Sequence, residues 1–202
     1  MKDKKIAVFA SGKGSNFAAL AGAVKKWPKA DIALLVCDTP GAAVLNKAKR
    51  AAVKSVLVER KNFSSRAAFE RKITAHLKNE KIDVIVLAGF MRLLSPLFVR
   101  KFKNRILNIH PALLPAFKGE HGIRDAFDYG VKTSGVTVHF VDEKMDHGPI
   151  ILQQAVPIRE TDTLETLEKR IHAIEHRLYP NAVKLLIDEK LKITGRKVLI
   201  LR

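Results

Sequence analysis

The sequence predicts an α/β protein: a doubly wound, mostly parallel sheet with helices on both faces and an antiparallel addition of C-terminal strands. Three features predict it. Short apolar, β-branched runs alternate with helical stretches through the first half of the chain. A glycine turn follows the first of these runs directly, as in a strand-to-helix crossover. Beyond residue 130, two strand-like segments follow one another with no helix between them, which suggests antiparallel pairing.

Lys5 to Ser11 reads as a buried first strand, Gly12 to Asn16 as a turn, and Phe17 to Trp27 as a helix ended by Pro28. Asp31 to Cys37 is strand two, closed by Asp38-Thr39-Pro40-Gly41. Ala42 to Ala52 is an alanine-rich helix and Ser55 to Val58 a short third strand. Ser64 to Asn79 is amphipathic, with Ser64 or Ser65 as N-cap. Asp83 to Gly89 is the most strand-like run; Leu97 to Phe102 is a short helix after Ser95-Pro96, and Arg105 to Ile109 is strand five. Gly119 to Tyr129 runs from loop into helix, Ser134 to Val141 and Ile150 to Ile158 are strands, and Thr163 to Glu189 is a long helix containing Pro180. Leu191 to Arg202 fits either an edge hairpin or a frayed end.

The chain has 202 residues, 47% of them hydrophobic, which suffices for a real core. No repeat, linker or low-complexity segment interrupts it. The expected organisation is one domain, 1–202, with a parallel half at 1–109 and a mixed half at 110–202. The single cysteine, Cys37, excludes an internal disulfide and points to a reducing compartment. No run reaches the ~18 apolar residues of a membrane span, and the N-terminal apolar run is too short for a signal peptide. A soluble cytoplasmic protein is expected. The net charge of +17 is spread along the chain, with clusters at 2–5, 47–54, 100–105 and 190–202. Spread lysines without interleaved aromatics read as a solvated surface, so nucleic acid is not an expected partner. Such a surface still attracts anionic small molecules.

Asn108 and His110 stand two residues apart at the end of strand five and so project to one side. Pro111 keeps the chain extended there and bars a further ladder bond. Ligands of open α/β sheets bind beyond the carboxyl ends of strands. Gly12-x-Gly14-Ser15-Asn16 offers a close backbone approach and the free amides of a helix N-terminus, a site for a phosphate monoester; the alternative is a tight turn capped by Ser15 or Asn16. Phe17 stands where a dinucleotide fingerprint needs a third glycine, and Asp38 reads as a turn residue. The Asp142 to Pro149 segment is either a solvated turn or a functional loop. Glu175 is open between surface and ligand roles, His76 and His176 read as helix-surface residues, and no metal-type histidine pair occurs.

No nucleophile is apparent: Gly-x-Ser-x-Gly is absent and Cys37 has no activating context. What remains is non-covalent acyl-type transfer. Asn108 would donate to a developing oxyanion, His110 would move a proton, and a carboxylate, for which Asp146 is the candidate, would orient or charge the histidine.

Ser11-Gly12-Lys13-Gly14-Ser15-Asn16, the run from Leu87 to Pro96, Leu107-Asn108-Ile109-His110-Pro111 and Met145-Asp146-His147-Gly148-Pro149 occur in that order. Together they resemble the phosphoribosylglycinamide formyltransferases, the folate-dependent glycinamide ribonucleotide transformylases, from about Lys5 to Lys192. The resemblance implies a Rossmann-like formyltransferase fold and transfer of formyl from 10-formyltetrahydrofolate to 5-phosphoribosylglycinamide in purine synthesis, directly through a tetrahedral intermediate and without a metal. It implies Asn108, His110 and Asp146 as catalytic residues, with the aspartate raising the histidine's pKa and the histidine donating a proton. Gly14, Ser15 and Asn16 match the phosphate loop, and Glu175, His176, Arg177 and Leu178 match the segment that holds the ribonucleotide. Arg66, Met91, Arg92, Leu93 and Leu94, with Asp142, Glu143, Lys144, Met145, Asp146 and Asn108, match the folate site. His139 and His121 are supporting groups by the same resemblance. The expected partners are small molecules, with the enzyme a monomer or homodimer, and the short tail after the last helix carries little of the family's function.

Two departures stand out. His147 occupies a position usually held by a small or hydroxyl residue, which is expected to put a second titratable ring beside Asp146. The basicity is also unusual. Methionyl-tRNA formyltransferases and formyltetrahydrofolate hydrolases share parts of these motifs, but the first carry a tRNA-binding domain and the second a regulatory domain, and neither is expected in 202 residues. A basic binding protein on a degenerate enzyme fold is the third alternative; it would show steep salt dependence on nucleic acid and no formyl transfer.

Overall fold

The computed structural model describes residues 4–201. Met1 to Asp3, part of the basic N-terminal stretch, and Arg202, the last residue of the expected terminal hairpin, lie outside the described residues. The chain divides between Leu107 and Asn108 into two compact units.

In the first unit, β1 (Lys4–Ala10) pairs in parallel with both β2 (Ala30–Cys37) and β4 (Val84–Leu87), and β2 pairs in parallel with β3 (Ser55–Leu57). Ile6 to Ala10 and Leu34 to Cys37 are fully buried, as expected for strands covered on both faces. Between the strands lie α1 (Ser15–Val24), α2 (Ala43–Arg50) and α3 (Arg66–Asn79); α4 (Pro96–Lys101) follows β4. Ser65 caps α3 by accepting the Ala68 N–H at 3.1 Å, and Ser95 caps α4 by accepting that of Phe98 at 3.2 Å, with Pro96 at the first helical position. Phe9, Phe90, Phe98 and Phe102 form an edge-and-tilt cluster that packs the β1 end and α4 together. The first helix begins two residues before the expected Phe17, because Gly14 serves as its N-cap in the left-handed region at φ 69°. Neither Ser15 nor Asn16 caps it.

β5 (Ile106–His110) carries the chain into the second unit. There β6 (Thr133–Phe140) and β7 (Ile150–Pro157) pair antiparallel, with an irregularity between Val138 and His139. The long helix α6 (Leu164–Ile187) packs on both strands and on α5 (Gly122–Tyr129), burying Leu167, Ile171, Leu178 and Ala182 along one stripe. Thr163 and Thr166 close its start in a reciprocal capping box, and Pro180 lies inside it. The terminal segment is a hairpin, β8 (Leu191–Thr194) against β9 (Lys197–Ile200), and Lys197 of β9 is in register with Ile150 of β7 in parallel. The pattern of the second half is therefore the antiparallel addition that the sequence predicts.

Candidate active site

His110 ends β5 and is only 3% exposed, with Asn108 half-buried two residues before it on the same side. The β6–β7 connection brings Asp146 to both. Asp146 Oδ2 lies 3.5 Å from His110 Nδ1, and Asp146 Oδ1 accepts from Asn108 Nδ2 at 3.4 Å. The connection can return this tightly because residue 148 is glycine: a Cβ there would sit 1.8 Å from the Phe140 carbonyl oxygen. The Gly119 N–H donates to Asp146 Oδ2 at 2.9 Å and fixes the carboxylate.

The protonation states follow from the partners. His110 Nε2 lies 2.7 Å from the Phe117 carbonyl, which only accepts, so Nε2 carries hydrogen and Nδ1 is the atom that titrates. Burial lowers the His110 pKa below its usual range; the Asp146 charge and the Phe117 bond pull it back only in part. Asp146 thus acts to raise the histidine's pKa, as expected, while the net direction is downward. Desolvation of a ring with 3% exposure outweighs the carboxylate. Burial likewise pushes Asp146 up, yet contacts with His139, the Gly119 N–H and His110 outweigh that, and its carboxyl sits below the usual range.

His139 is the ring that sequence reasoning placed only loosely. It is 2% exposed, its Nδ1 donates to the Phe140 carbonyl at 2.8 Å, and its Nε2 lies 3.3 Å from Asn108 Nδ2. Asn108 Nδ2 thus faces two protein partners, through long contacts of 3.3 and 3.4 Å. The expected second ring beside Asp146 is His139, at 3.7 Å, and not His147. His147 turns away to Asp142, with Nδ1 2.6 Å from Oδ2. Behind the cluster, Thr137 donates to the Ala112 carbonyl at 2.7 Å and accepts the Leu114 N–H at 3.1 Å, while Gln153 bonds both Thr137 and the Leu114 carbonyl. These bonds hold the segment that follows His110.

In the first unit, Gly14 is required twice over: its φ is 69°, and a Cβ would lie 2.5 Å from a Val44 methyl. Lys47 Nζ lies 3.4 Å from the Gly14 carbonyl, so a cation stands beside the N-terminus of α1. The 91–94 segment is anchored from below. Buried Glu70 accepts from the Ser95 N–H at 2.6 Å, from the Ser95 hydroxyl and from Arg66 Nε at 3.3 Å, and Arg66 also donates to the Leu93 carbonyl. Arg92 pairs with Asp38 at 2.7 Å; Asp38, read from sequence as a turn residue, is 4% exposed. Met91 and Leu93 remain 56% and 64% exposed.

The formyl transferase family matches residues 4–183. The phosphoribosylglycinamide formyltransferase of Bacillus subtilis is 48% identical over 186 residues, covering 91% of this chain and 95% of that protein. The chain belongs to the formyl transferase family. Within it, the trifunctional purine biosynthetic protein adenosine-3 of Drosophila melanogaster is 43% identical over 92% of this chain, a match that spans 14% of that longer protein. Among solved structures, glycinamide ribonucleotide transformylase 1 from Symbiobacterium toebii superposes with a TM-score of 0.96 at 42% identity, covering 99% of this chain and 95% of that one. The Geobacillus kaustophilus transformylase 1 gives 0.89 at 48% identity, covering 92% and 99%.

For this member of the family, the segment expected to hold the ribonucleotide does not present one face. Glu175 and Leu178 are buried, Arg177 is exposed with its guanidinium on Gln154, and His176 is half-buried. Glu175 is bonded by His172 Nδ1 at 2.9 Å. Glu143, Lys144 and Met145 are exposed in the β6–β7 connection, and His121 is exposed at the start of α5. Among the described residues, no cluster of three or more His, Cys, Asp or Glu is arranged to hold a metal, and no helix is long and apolar enough to cross a membrane.

Proposed function

We propose that this protein transfers the formyl group of 10-formyltetrahydrofolate to the amine of 5-phosphoribosylglycinamide, a step of purine biosynthesis, with Asn108, His110 and Asp146 as its catalytic residues. The observation that carries the reading is the Asn108–His110–Asp146 cluster within a chain so similar to a phosphoribosylglycinamide formyltransferase. The family match runs through both compact units, which supports the whole chain acting as one catalytic domain.

The chemistry follows from the protonation states. The attacking amine must lose a proton and the departing N10 must gain one. A neutral His110 can take the first, and its Nδ1 then carries the charge beside Asp146, where the carboxylate stabilises the imidazolium. The same proton is then available to the leaving nitrogen. Asn108 supplies an amide hydrogen to the developing oxyanion by giving up one of its two long contacts. The Gly14-Ser15-Asn16 turn, with Lys47 beside it, suits a phosphate monoester. Exposed Met91 and Leu93, with the Arg66 cation tied to the same segment, suit a flat, partly apolar donor that bears carboxylates. Arg92 and Leu94 belong to the same donor segment, and residues 142–146 contribute from the β6–β7 connection. Glu175 to Leu178 serve the ribonucleotide. The enzyme acts in the cytoplasm as a monomer or homodimer, on small molecules alone.

The test is a formyl-transfer assay with 10-formyltetrahydrofolate and 5-phosphoribosylglycinamide, run beside the same assay with charged initiator tRNA. Turnover with the ribonucleotide alone is expected. Turnover only with tRNA, or only with water, would overturn the reading.

A further inference from the structure

The terminal hairpin lies beyond the family match, yet its turn reaches the connection that carries Asp146. We propose that Arg196 is a positioning residue for formyl transfer: it latches the 142–148 connection and so holds Asp146 in place. The proposal rests on the function given above.

The register of the strands creates the contact. Lys197 is paired with Ile150, so Arg196, one residue earlier, lies level with the chain just before β7. Its Nη2 donates to the His147 carbonyl at 2.7 Å, and its Nη1 lies 3.2 Å from His147 Nε2. His147 Nδ1 in turn meets Asp142 Oδ2 at 2.6 Å, and Asp142 Oδ1 accepts the Lys144 N–H at 3.0 Å. An ionised carboxylate only accepts, so Nδ1 carries hydrogen toward Asp142, while Nη1 of Arg196, 3.3 Å from Nδ1 and 3.2 Å from Nε2, lies against the ring without pointing at either nitrogen alone. One arginine therefore engages both the ring and the backbone of His147, a double task suited to its planar fork and not to a lysine ammonium. The bonds from Arg196 through His147 to Asp142 close a loop around Asp146, whose φ of 46° is a sparsely populated conformation that needs support from neighbours. The departure at His147 thus has a structural use: a hydroxyl or small residue there would give the guanidinium no ring to hold.

The test uses the full chain with Arg196→Ala and Arg196→Lys, and with Lys192→Ala on β8 as a control for the hairpin surface. In Arg196→Ala, hydrogen exchange across 142–148 is expected to accelerate about tenfold and kcat at saturating substrates to fall by about the same factor, on the scale of losing a partly exposed charge-assisted hydrogen bond. Exchange in α6, KM for the ribonucleotide and thermal stability should stay near wild type. Arg196→Lys should fall between, because it keeps the carbonyl bond and loses the ring contact. Lys192→Ala should match wild type. Unchanged exchange in Arg196→Ala would overturn the latch, and faster exchange with an unchanged kcat would overturn its role in positioning. Failure of the underlying function would appear separately, as a wild-type protein without formyl transfer.

Discussion

Asp146 Oδ2 lies 3.5 Å from His110 Nδ1, the one nitrogen of that ring not already committed to a backbone carbonyl. The pair is nearly dry, and its two members lean toward different states: the carboxylate stays ionised while burial disfavours the imidazolium. A proton arriving on Nδ1 converts a lone pair facing a carboxylate into an ion pair. That is the property a transient proton carrier needs.

Removing the Asn108 amide tests the oxyanion assignment. Asn108→Ala should lower kcat by roughly 10²–10³-fold, the scale of losing one oxyanion donor. Donor affinity should change much less, which ligand titration against kinetics resolves. A raised KM at normal kcat would instead make Asn108 a binding residue.

Gly14→Val addresses the phosphate turn. A side chain at φ 69° and within 2.5 Å of Val44 must displace the start of α1. The variant should bind 5-phosphoribosylglycinamide far more weakly, and wild type should prefer this ribonucleotide strongly over the riboside that lacks phosphate. Calorimetric titration of both ligands decides it, and equal affinities would remove the assignment.

Stability should decline on mild acidification. The folded His110 resists protonation, whereas the unfolded chain takes up that proton near pH 6.5. The stabilisation from this group is complete above about pH 6.5 and is lost as pH falls through the lower folded value. His76, lowered by burial and by Lys72 and Lys54, acts in the same direction. Asp146 adds a further loss only in stronger acid, as pH falls below its already depressed range. Melting temperatures at pH 7.5 and 5.5, in wild type and His110→Asn, check this: the variant should show a shallower fall.

Glu70→Gln should loosen the 91–95 segment. The buried carboxylate accepts three donors, and a carboxamide would turn its own hydrogens against one of them. A loss of about 2 kcal/mol by denaturant unfolding is expected, the scale of hydrogen bonds to a charged group. Donor KM should rise with it.

Much of the fold was legible because strands buried on both faces, such as Leu34 to Cys37, write their burial as unbroken apolar runs. Asn108 and His110 could be paired from sequence because the period of a strand is two. Less local features were not readable. Asp38 meets Arg92 across 54 positions, and Glu70 meets Ser95 across 25; neither pair has a local signature. The start of α1 was misplaced because a backbone cap at Gly14 leaves no polar side chain to mark it. Adjacency in sequence predicts His147 beside Asp146, but the ring meets Asp142, five positions back, a pairing that sequence neighbours do not reveal. The lowered His110 pKa depended on burial, which the residues around it in sequence do not reveal.

The most direct test of the account is formyl transfer from 10-formyltetrahydrofolate to 5-phosphoribosylglycinamide by wild type and Asp146→Asn at saturating substrates. The substitution keeps the shape and removes the charge beside His110 Nδ1. The account predicts turnover by wild type and a loss on the order of 10²–10⁴-fold in the variant, the reach of positioned acid–base catalysis. Donor binding should stay within a few-fold, and the His110 titration should move to still lower pH. Turnover near wild type in Asp146→Asn would contradict it.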